Sequence, residues 1–481
     1  MLTKEASYHG CFRQNYCTMR REGDKVLRGA QDDKSAMPNT ISFNENYPDI
    51  TQSDALYARA QKIMTPVTQT LAKGPGQYTK GVSPKYVKRG QGAHIWDVDG
   101  NEFIDYQMGI GPISLGYAYP RVDDAIRAQL QDGITFSMMH ELEVELSELI
   151  HEIIPNAESI RISKTGADVC SAAVRVARAF TGRRKVLCCG YHGWHDWYIG
   201  TTSRDQGIPP EIKELTAAFE YNNLESLKAL LDEDVACVIL EPFIFDAPKD
   251  NFLHEVARLC QENGTLLIFD EMWTGFRIAV GGAQEYFGIT PDLAVYSKAF
   301  ANGMPIALLT GRRDVMQLFE QDVFFFTTFG GEALSMAAAL ATIAEMREQN
   351  VPARLAEQGK KLKDGYNKIA AELEMSAYTK CYGYDCRTIV TFDASAGNPM
   401  EIKAFMQQEL FKRGIMWGGF HHMCFSHSDE DVAHTLATYR EVLPLLKAAI
   451  EAGDVAARLL GEPVEAVFRK VTNAAPVKAK G

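Results

Sequence analysis

The sequence has no long hydrophobic run, no CxxC pair and no excess of positive charge. No apolar segment approaches the ~20 residues of a membrane-spanning helix, so we expect no membrane partner. A formal net charge of -12 argues against nucleic acid as a partner. The N-terminus lacks the apolar core of a signal peptide, and the ten cysteines are scattered along the chain. Together these absences predict buried free thiols and a cytoplasmic protein.

The length of 481 residues predicts more than one domain, because a single small core does not extend over so long a chain. No internal repeat divides the sequence. We predict a helix at residues 53–70 that begins with a Ser53-Asp54 cap. The predicted organisation is a poorly ordered N-terminal extension at 1-50, the N-terminal part of a small domain at 51-115, a large domain at 116-345, the C-terminal part of the small domain at 346-470 and a mobile tail at 471-481.

Short apolar runs that end in polar or turn residues predict the strands of a buried sheet. These runs are residues 160–163, 185–189, 235–240, 266–269 and 293–296. Helical segments separate several of them, including 169–180 and 254–263. Strands that alternate with helices favour right-handed crossovers, and therefore an α/β fold with a mostly parallel sheet.

An acid and a lysine follow two of these runs. Asp270 ends the run 266–269, and Lys298 follows the run 293–296 after one serine. Ligands of open α/β sheets bind beyond the carboxyl ends of the strands, so we expect both side chains to face one ligand. The pair suits pyridoxal 5'-phosphate (PLP), which needs a lysine amine for its Schiff base and a carboxylate for its ring nitrogen. The alternative is an ordinary cap and a solvated lysine.

Two further segments predict ligand contacts. Thr165-Gly166-Ala167 joins a strand to a helix, and the free N–H groups and dipole of a helix N-terminus favour a phosphate. The segment 190–198 concentrates aromatic residues and two histidines, which predicts a site loop. His192, His195 and Asp196 leave a metal site as an alternative, but no known ligand spacing supports it, and we predict no metal.

Four motifs identify a family resemblance: FDEMWTGFR at 269–277, GGAQEYFGITPDL at 281–293, SKAFANGMPIA at 297–307 and YHGWHD at 191–196. With them the chain resembles the class III aminotransferases, and most closely the glutamate-1-semialdehyde aminomutase-like branch of the fold-type I PLP enzymes. The resemblance implies a mostly parallel sheet sandwiched by helices, and a smaller α+β domain built from both chain ends. It also implies a PLP-dependent homodimer with shared active sites.

The resemblance assigns roles to individual positions. Lys298 is the Schiff-base lysine and carries a proton during the reaction, and Asp270 pairs with the pyridinium nitrogen. Tyr191 and Met272 lie against the two faces of the ring, and Thr328 reaches the cofactor phosphate of the neighbouring subunit. The predicted cofactor contacts are Thr165, Gly166, Ala167, Tyr191, His192, Asp270, Met272, Lys298 and Thr328.

The chain departs from the aminomutase pattern around the substrate. The arginine that grips the substrate carboxylate in the aminomutase has no match near residues 78–84, and loss of an arginine–carboxylate fork removes a directional charged contact. Ile110 stands in place of a tryptophan and Asp246 in place of an asparagine. The substrate-binding candidates are Lys80, Ile110, His195, Asp246, His421 and His422.

We therefore predict an aminotransferase that moves an amino group from a small-molecule donor to a small carbonyl acceptor, with L-glutamate as the first donor to test. An intramolecular 2,1-aminomutase is the first alternative, and a racemase on the same scaffold is a second. A PLP-binding protein without turnover is the alternative from another class.

Overall fold

The computed structural model describes residues 46–465. The predicted N-terminal extension lies almost entirely outside these residues, and the predicted mobile tail lies wholly outside them. The strands, in chain order, are β1 (Val87–Gln91), β2 (His94–Asp97), β3 (Glu102–Asp105), β4 (Ser159–Ser163), β5 (Lys185–Cys189), β6 (Thr216–Ala218), β7 (Val235–Leu240), β8 (Leu266–Asp270), β9 (Leu293–Tyr296), β10 (Ala307–Gly311), β11 (Thr379–Tyr384), β12 (Arg387–Phe392), β13 (Ile415–Met416) and β14 (Phe420–His422). The α-helices span Thr51–Ala60, Pro120–Asp132, Glu141–Ile153, Gly166–Thr181, Asp196–Ile199, Pro210–Lys213, Leu224–Lys228, Phe252–Asn263, Gly282–Phe287, Arg313–Met316, Ala333–Glu348, Val351–Glu372, Pro399–Lys412 and Asp429–Ala452.

The largest sheet has the strand order β4-β10-β9-β8-β7-β5-β6. Strands β9, β8, β7, β5 and β6 run parallel to one another, and β10 pairs antiparallel with both β9 and β4. The predicted mostly parallel sheet is therefore confirmed. Every residue of β7, β8 and β9 is buried, as expected where helices cover both faces of a parallel sheet.

The helix Gly166–Thr181 lies directly on this sheet. Its buried face is rich in alanine and valine, and it shares one hydrophobic core with Ile239, Ile268 and Val295 of three neighbouring strands. Small side chains let a helix approach a sheet closely, and the close packing brings the N-terminus of the helix to the edge where the strands end.

Two smaller sheets involve segments far apart in sequence. Strand β13 pairs in parallel with β3, so residues near 415 extend the hairpin formed by β2 and β3. The other sheet has the order β11-β12-β14. These pairings agree with a smaller α+β part built from both ends of the chain. The boundaries at 51-115, 116-345 and 346-470 stay predictions.

The N-terminal helix differs from its prediction. It spans Thr51–Ala60 rather than 53–70, and neither Ser53 nor Asp54 caps it. Asp99 provides the cap instead, because its carboxylate accepts hydrogen bonds from the backbone N–H groups of Gln52 and Ser53 at 2.5 and 2.9 Å. Asp99 lies in the β2–β3 turn, so this cap depends on tertiary structure. The later Pro66 disfavours helix in the residue before it, which is consistent with the early end.

All eight cysteines among the described residues are free thiols, and seven of them are buried. This result confirms the prediction of free thiols for that part of the chain. In residues 46–465, no helix combines the length and the apolar character that crossing a bilayer requires.

Candidate active site

Four loops that follow parallel strands meet at one edge of the large sheet. Asp270 is the last residue of β8, Glu241 follows β7 directly, and Lys298 and Tyr191 each lie two residues beyond β9 and β5. The backbone N–H of Tyr191 donates a hydrogen bond of 2.8 Å to Glu241 Oε1, which ties two of the loops together. The edge where these loops meet is the place where open α/β sheets bind ligands.

Asp270 is fully buried, and its carboxylate has a fixed orientation. Its Oδ2 lies 2.7 Å from Nδ1 of His192, and its Oδ1 accepts a 3.0 Å hydrogen bond from the backbone N–H of Met272. The other ring nitrogen of His192, Nε2, is buried and has no partner within residues 46–465. A buried carboxylate held in this way favours a positive charge nearby, such as a protonated ring nitrogen.

Lys298 has a left-handed backbone, with φ of 57°, and its amine lies 3.7 Å from the ring centroid of Trp273. Burial, with a smaller effect from the cations of Arg387 and Arg277, lowers the pKa of Lys298 to about 8, against the opposing effect of Glu241 and Asp270. A lysine with this pKa has a substantial neutral fraction near neutral pH, and only the neutral amine is a nucleophile.

The start of the helix Gly166–Thr181 forms a cradle beside these groups. Thr165 caps the helix by accepting a 3.2 Å hydrogen bond from the N–H of Asp168. The cap does not use the N–H groups of Gly166 and Ala167, which can therefore bind an anion. A Cβ added at Gly166 would lie 2.9 Å from Met272 Sδ, which shows how closely Met272 approaches the cradle. The cradle, the Lys298 amine and the Asp270 carboxylate fit the phosphate, aldehyde and ring nitrogen of PLP.

Three residues of this site are not among the predicted contacts. Glu241 is buried, and its Oε2 has no partner among the described residues. Burial and the charge of Asp270 raise the pKa of Glu241. The ring centroid of Trp273 lies 3.8 Å from the guanidinium carbon of Arg387. Trp273 stands in the FDEMWTGFR motif and could have been singled out. Arg387 belongs to no motif and comes from the small sheet, so no sequence signal pointed to it.

The predicted substrate residues do not come together. His422 stacks on Trp273 with ring centroids 4.6 Å apart and lies in the site. The Lys80 amine instead forms ion pairs with Glu462 and Glu465 at 3.1 and 2.8 Å. His195 Nδ1 lies 2.6 Å from Ser171 Oγ. Asp246 is exposed, and Ile110 is partly buried with a left-handed backbone.

His421 has no contact with the Trp273 ring. Its Nδ1 lies 2.9 Å from Thr388 Oγ1, and its Nε2 lies 2.7 Å from the hydroxyl of Tyr439. Successive residues of a strand point to opposite faces, so when His422 faces the site its neighbour enters the core. The structure therefore gives His421 packing contacts in place of the predicted substrate contacts.

Buried histidines make stability depend on pH. Burial lowers the pKa of His421 to about 3 and that of His427 to about 4. The unfolded chain protonates these rings near the ordinary histidine pKa of about 6.5, so below that pH it binds more protons than the native protein. We expect the free energy of unfolding to fall with decreasing pH from about pH 6.5, by about 1 kcal/mol per pH unit for each ring.

Urea denaturation at a series of pH values measures this slope. The His421→Asn variant should reduce the slope without abolishing it, because His427 still titrates. An unchanged urea midpoint from about pH 7 to about pH 5 would contradict the expectation.

Gly111 sets the position of Trp273. A Cβ at Gly111 would clash with Cζ3 of Trp273, and its φ of 96° is left-handed. We expect Gly111→Ala to destabilise the protein by about 2–4 kcal/mol and to shift the emission of Trp273. Gly100→Ala is the matched control, since Gly100 has a φ of 94° and nothing within 4 Å of an added Cβ. Equal urea midpoints for the two variants would show that the tryptophan contact contributes nothing.

Comparison with known proteins places the whole arrangement in one family. The family model described as aminotransferase class-III matches residues 77–424, more than half of the chain. The chain is 34% identical to the 3-aminobutyryl-CoA aminotransferase of Cloacimonas acidaminovorans over 411 residues, which cover 83% of this chain and 98% of that protein. It is 36% identical to the glutamate-1-semialdehyde 2,1-aminomutase of Acetivibrio thermocellus over 341 residues, covering 66% and 79% of the two chains.

A solved structure agrees with these relatives. The FumI protein of Sphingopyxis sp. MTA144, solved in a PLP form, superposes with a TM-score of 0.78 at 28% identity, covering 86% of this chain and 99% of that chain. The family match, the relatives and the shared fold confirm the predicted resemblance. The chain therefore belongs to the class III aminotransferases, and it is a PLP-dependent enzyme of fold type I.

Proposed function

We propose that this enzyme transfers an amino group from a small amino donor to a small carbonyl acceptor, with L-glutamate as the first donor to test. One observation carries the proposal. Asp270, with its fixed carboxylate, ends one strand, and Lys298, whose pKa is lowered to about 8, follows the neighbouring strand of the same sheet. A nucleophilic amine and a carboxylate at one edge are the two protein groups that PLP chemistry needs.

Each side chain has a defined task in this proposal. When bound, PLP supplies an aldehyde that accepts the amine and a ring that takes up electrons from the substrate carbon. Asp270, held by His192, keeps a proton at the ring nitrogen. The neutral amine of Lys298 moves a proton to and from the substrate carbon as general base and acid. The proposed cofactor contacts are Thr165, Gly166, Ala167, Tyr191, His192, Asp270, Met272 and Lys298, with Thr328 from a second subunit.

A homodimer with shared sites is part of the proposal, supported by an exposed apolar surface around Thr328. The backbone N–H of Ala333 donates a 2.9 Å hydrogen bond to the carbonyl of Ile134, so the segments near 134 and 333 lie side by side. Burying large apolar side chains favours association, and exposed patches of this kind mark interfaces. The exposed residues of these segments are Ile134, Phe136, Met138, Met139, Phe324, Phe326, Thr328 and Phe329. Sedimentation equilibrium tests the proposal, and a monomer at working concentration would refute it.

The proposed location is the cytoplasm. The eight free cysteines of the described residues, seven of them buried, suit a reducing compartment.

Single-turnover spectroscopy tests the proposed function. The purified holoenzyme is mixed with a panel of amino donors, beginning with L-glutamate, while the visible band of lysine-bound cofactor is followed and the keto product is assayed. A donor-dependent loss of the band with equimolar keto product supports amino transfer. Loss of the band without a keto product, or no change with any donor, refutes it.

The intramolecular aminomutase remains the second candidate, because a relative at 36% identity carries that name. It predicts isomerisation of a substrate that bears both an amino and a carbonyl group, with no external donor. Substrate labelled with nitrogen-15 and incubated with unlabelled donor separates the two functions. Retention of the label favours the aminomutase, and its dilution favours the aminotransferase.

A further inference from the structure

Lys164 and Glu332 form an ion pair at the starts of two helices. Lys164 directly precedes Thr165, which caps the helix that forms the phosphate cradle, and Glu332 caps the helix Ala333–Glu348. The Lys164 amine lies 2.8 Å from Glu332 Oε1, and the two side chains are only 14% and 10% exposed. Solvent and salt screen a largely buried ion pair much less than a surface pair. The pair therefore connects the cradle firmly to the segment that ends at Glu332.

The carboxylate of Glu332 has a fixed orientation. Its Oε2 accepts a 2.9 Å hydrogen bond from the backbone N–H of Leu334, and its Oε1 accepts one of 3.0 Å from that of Ser335. These bonds satisfy two of the N–H groups that begin the helix, as a good N-cap does. Glu332 cannot turn away from Lys164 without leaving those donors unsatisfied, so the ion pair and the cap stabilise each other.

Two arginines hold the other end of the same segment. Arg161, in β4, donates a 2.8 Å hydrogen bond to the carbonyl of Phe325, and Arg175, in the cradle helix, donates one of 2.7 Å to that of Phe324. Thr328 lies between these contacts and the ion pair, and it is exposed. A segment that is fixed at both ends loses little conformational freedom when its middle is bound. The segment 324–332 is therefore preorganised to present Thr328 to a partner.

The cradle leaves a phosphate short of side-chain donors. Ala167, at the second position of the cradle helix, has no hydroxyl group, so a phosphate relies there on backbone N–H groups and on Thr165. A threonine hydroxyl from a second subunit adds a hydrogen bond to a charged acceptor, which is one of the stronger kinds. We therefore expect the orientation of Thr328 to affect the affinity for the cofactor.

We propose that Lys164 and Glu332 are positioning residues for the cofactor of the second subunit. Their ion pair fixes the segment 324–332 on its own cradle, so that Thr328 is directed at the cofactor phosphate across the interface. This inference rests on the proposed homodimer with shared sites, and it names the residues of one subunit that govern cofactor binding in the other. The cofactor affinity of each subunit thus depends on the ion pair of its partner.

Titration of the apoenzyme with PLP tests the ion pair without any amino donor, since the visible band of lysine-bound cofactor reports binding. We expect Lys164→Met to raise the dissociation constant of PLP by on the order of tenfold, and Lys164→Arg, which keeps the charge, to restore it. Glu345→Gln is the matched control, because Glu345 lies on the same helix as Glu332, is also 10% exposed and pairs with Arg121 at 2.7 Å. It should lower the urea midpoint and leave the affinity unchanged. Wild-type affinity in Lys164→Met would overturn the inference.

The double variant Lys164→Met/Glu332→Gln guards against misfolding. Removing one partner of a buried pair leaves a charge uncompensated, whereas removing both leaves none. We expect the double variant to recover the urea midpoint of the wild type but not its affinity for PLP. Recovery of both would mean that the single variant acted only through an unpaired charge, and the inference would be wrong.

Mixed dimers, isolated with two affinity tags, show which subunit is affected. In the first dimer a Lys164→Met subunit is paired with a Lys298→Ala subunit, so the subunit that forms the band receives Thr328 from an intact ion pair. In the second a wild-type subunit is paired with a Lys164→Met/Lys298→Ala subunit and receives Thr328 from a broken pair. We expect wild-type affinity in the first dimer and about tenfold weaker affinity in the second. The opposite order, or equal affinities, contradicts positioning across the interface.

These titrations also separate the inference from the proposed function. If the mixed dimers behave as expected but no donor transfers its amino group, amino transfer fails and the positioning role stands. If a donor is found but Lys164→Met binds PLP as tightly as the wild type, the positioning role alone fails. A monomer in sedimentation equilibrium refutes the shared sites and, with them, this inference, while amino transfer is unaffected.

Discussion

Replacing Lys298 by alanine is expected to lower kcat by on the order of 10,000-fold while the protein stays folded. The amine has two tasks in the proposed function, as nucleophile and as proton carrier, and alanine supplies neither. The measurements are the steady-state rate with the best donor and the visible absorption of the holoenzyme, which should lose the band of lysine-bound cofactor. Unchanged circular dichroism would show that the fold is retained.

Lys403 provides the matched control for this experiment. Burial also lowers its pKa to about 8, so the two lysines share an unusual protonation behaviour. Lys403 lies near Gly419, and the proposed chemistry does not use it. The Lys403→Met variant should retain the visible band and most of the activity. A Lys298→Ala variant that keeps the band, or a Lys403→Met variant that loses it, would contradict the assignment of Lys298.

Replacing Asp270 by asparagine is expected to lower kcat by on the order of 1,000-fold. Asparagine keeps the size of the side chain and removes the negative charge that holds a proton on the ring nitrogen. The His192 ring then also loses its charged partner at 2.7 Å. Rates are measured at saturating cofactor, so that weaker cofactor binding is not mistaken for slower chemistry.

The adjacent Glu271 distinguishes a catalytic effect from a structural one. Its carboxylate is equally buried and accepts hydrogen bonds from Thr274 and from the backbone of Ala283 and Gln284. These contacts join two loops, so Glu271→Gln should lower the urea midpoint and leave kcat within about threefold of wild type. If Asp270→Asn lowers stability but not kcat, the assigned role of Asp270 is wrong.

Much of the central sheet could be predicted from local patterns. The strands Lys185–Cys189, Val235–Leu240 and Leu293–Tyr296 have the predicted bounds, because a strand buried on both faces is a continuous apolar run with polar ends. The helix Gly166–Thr181 began three residues earlier than its predicted start at 169. Thr165 and Asp168 form a capping box, and this pair in the sequence is a signal for the true start of the helix.

The helix at Thr51–Ala60 and the placement of His421 could not be predicted in the same way. Asp99, almost fifty residues later, caps the helix, and local propensity contains no information on such a contact. From the sequence alone, either of two successive histidines in a strand could face the site. Only the register of β14 against β12 decides which ring faces Trp273.

The family, the cofactor and the two groups predicted to carry the chemistry could be read from the chain, because local motifs at the ends of consecutive strands encode them. Only the folded chain shows that Arg387, from a distant strand, lies beside Trp273, and that its Nε has no partner among the described residues. Whether a buried donor is satisfied depends on every group packed around it, and those groups come from segments far apart in sequence. For this reason the class of reaction could be inferred from the chain, and the surroundings of Arg387 only from the fold.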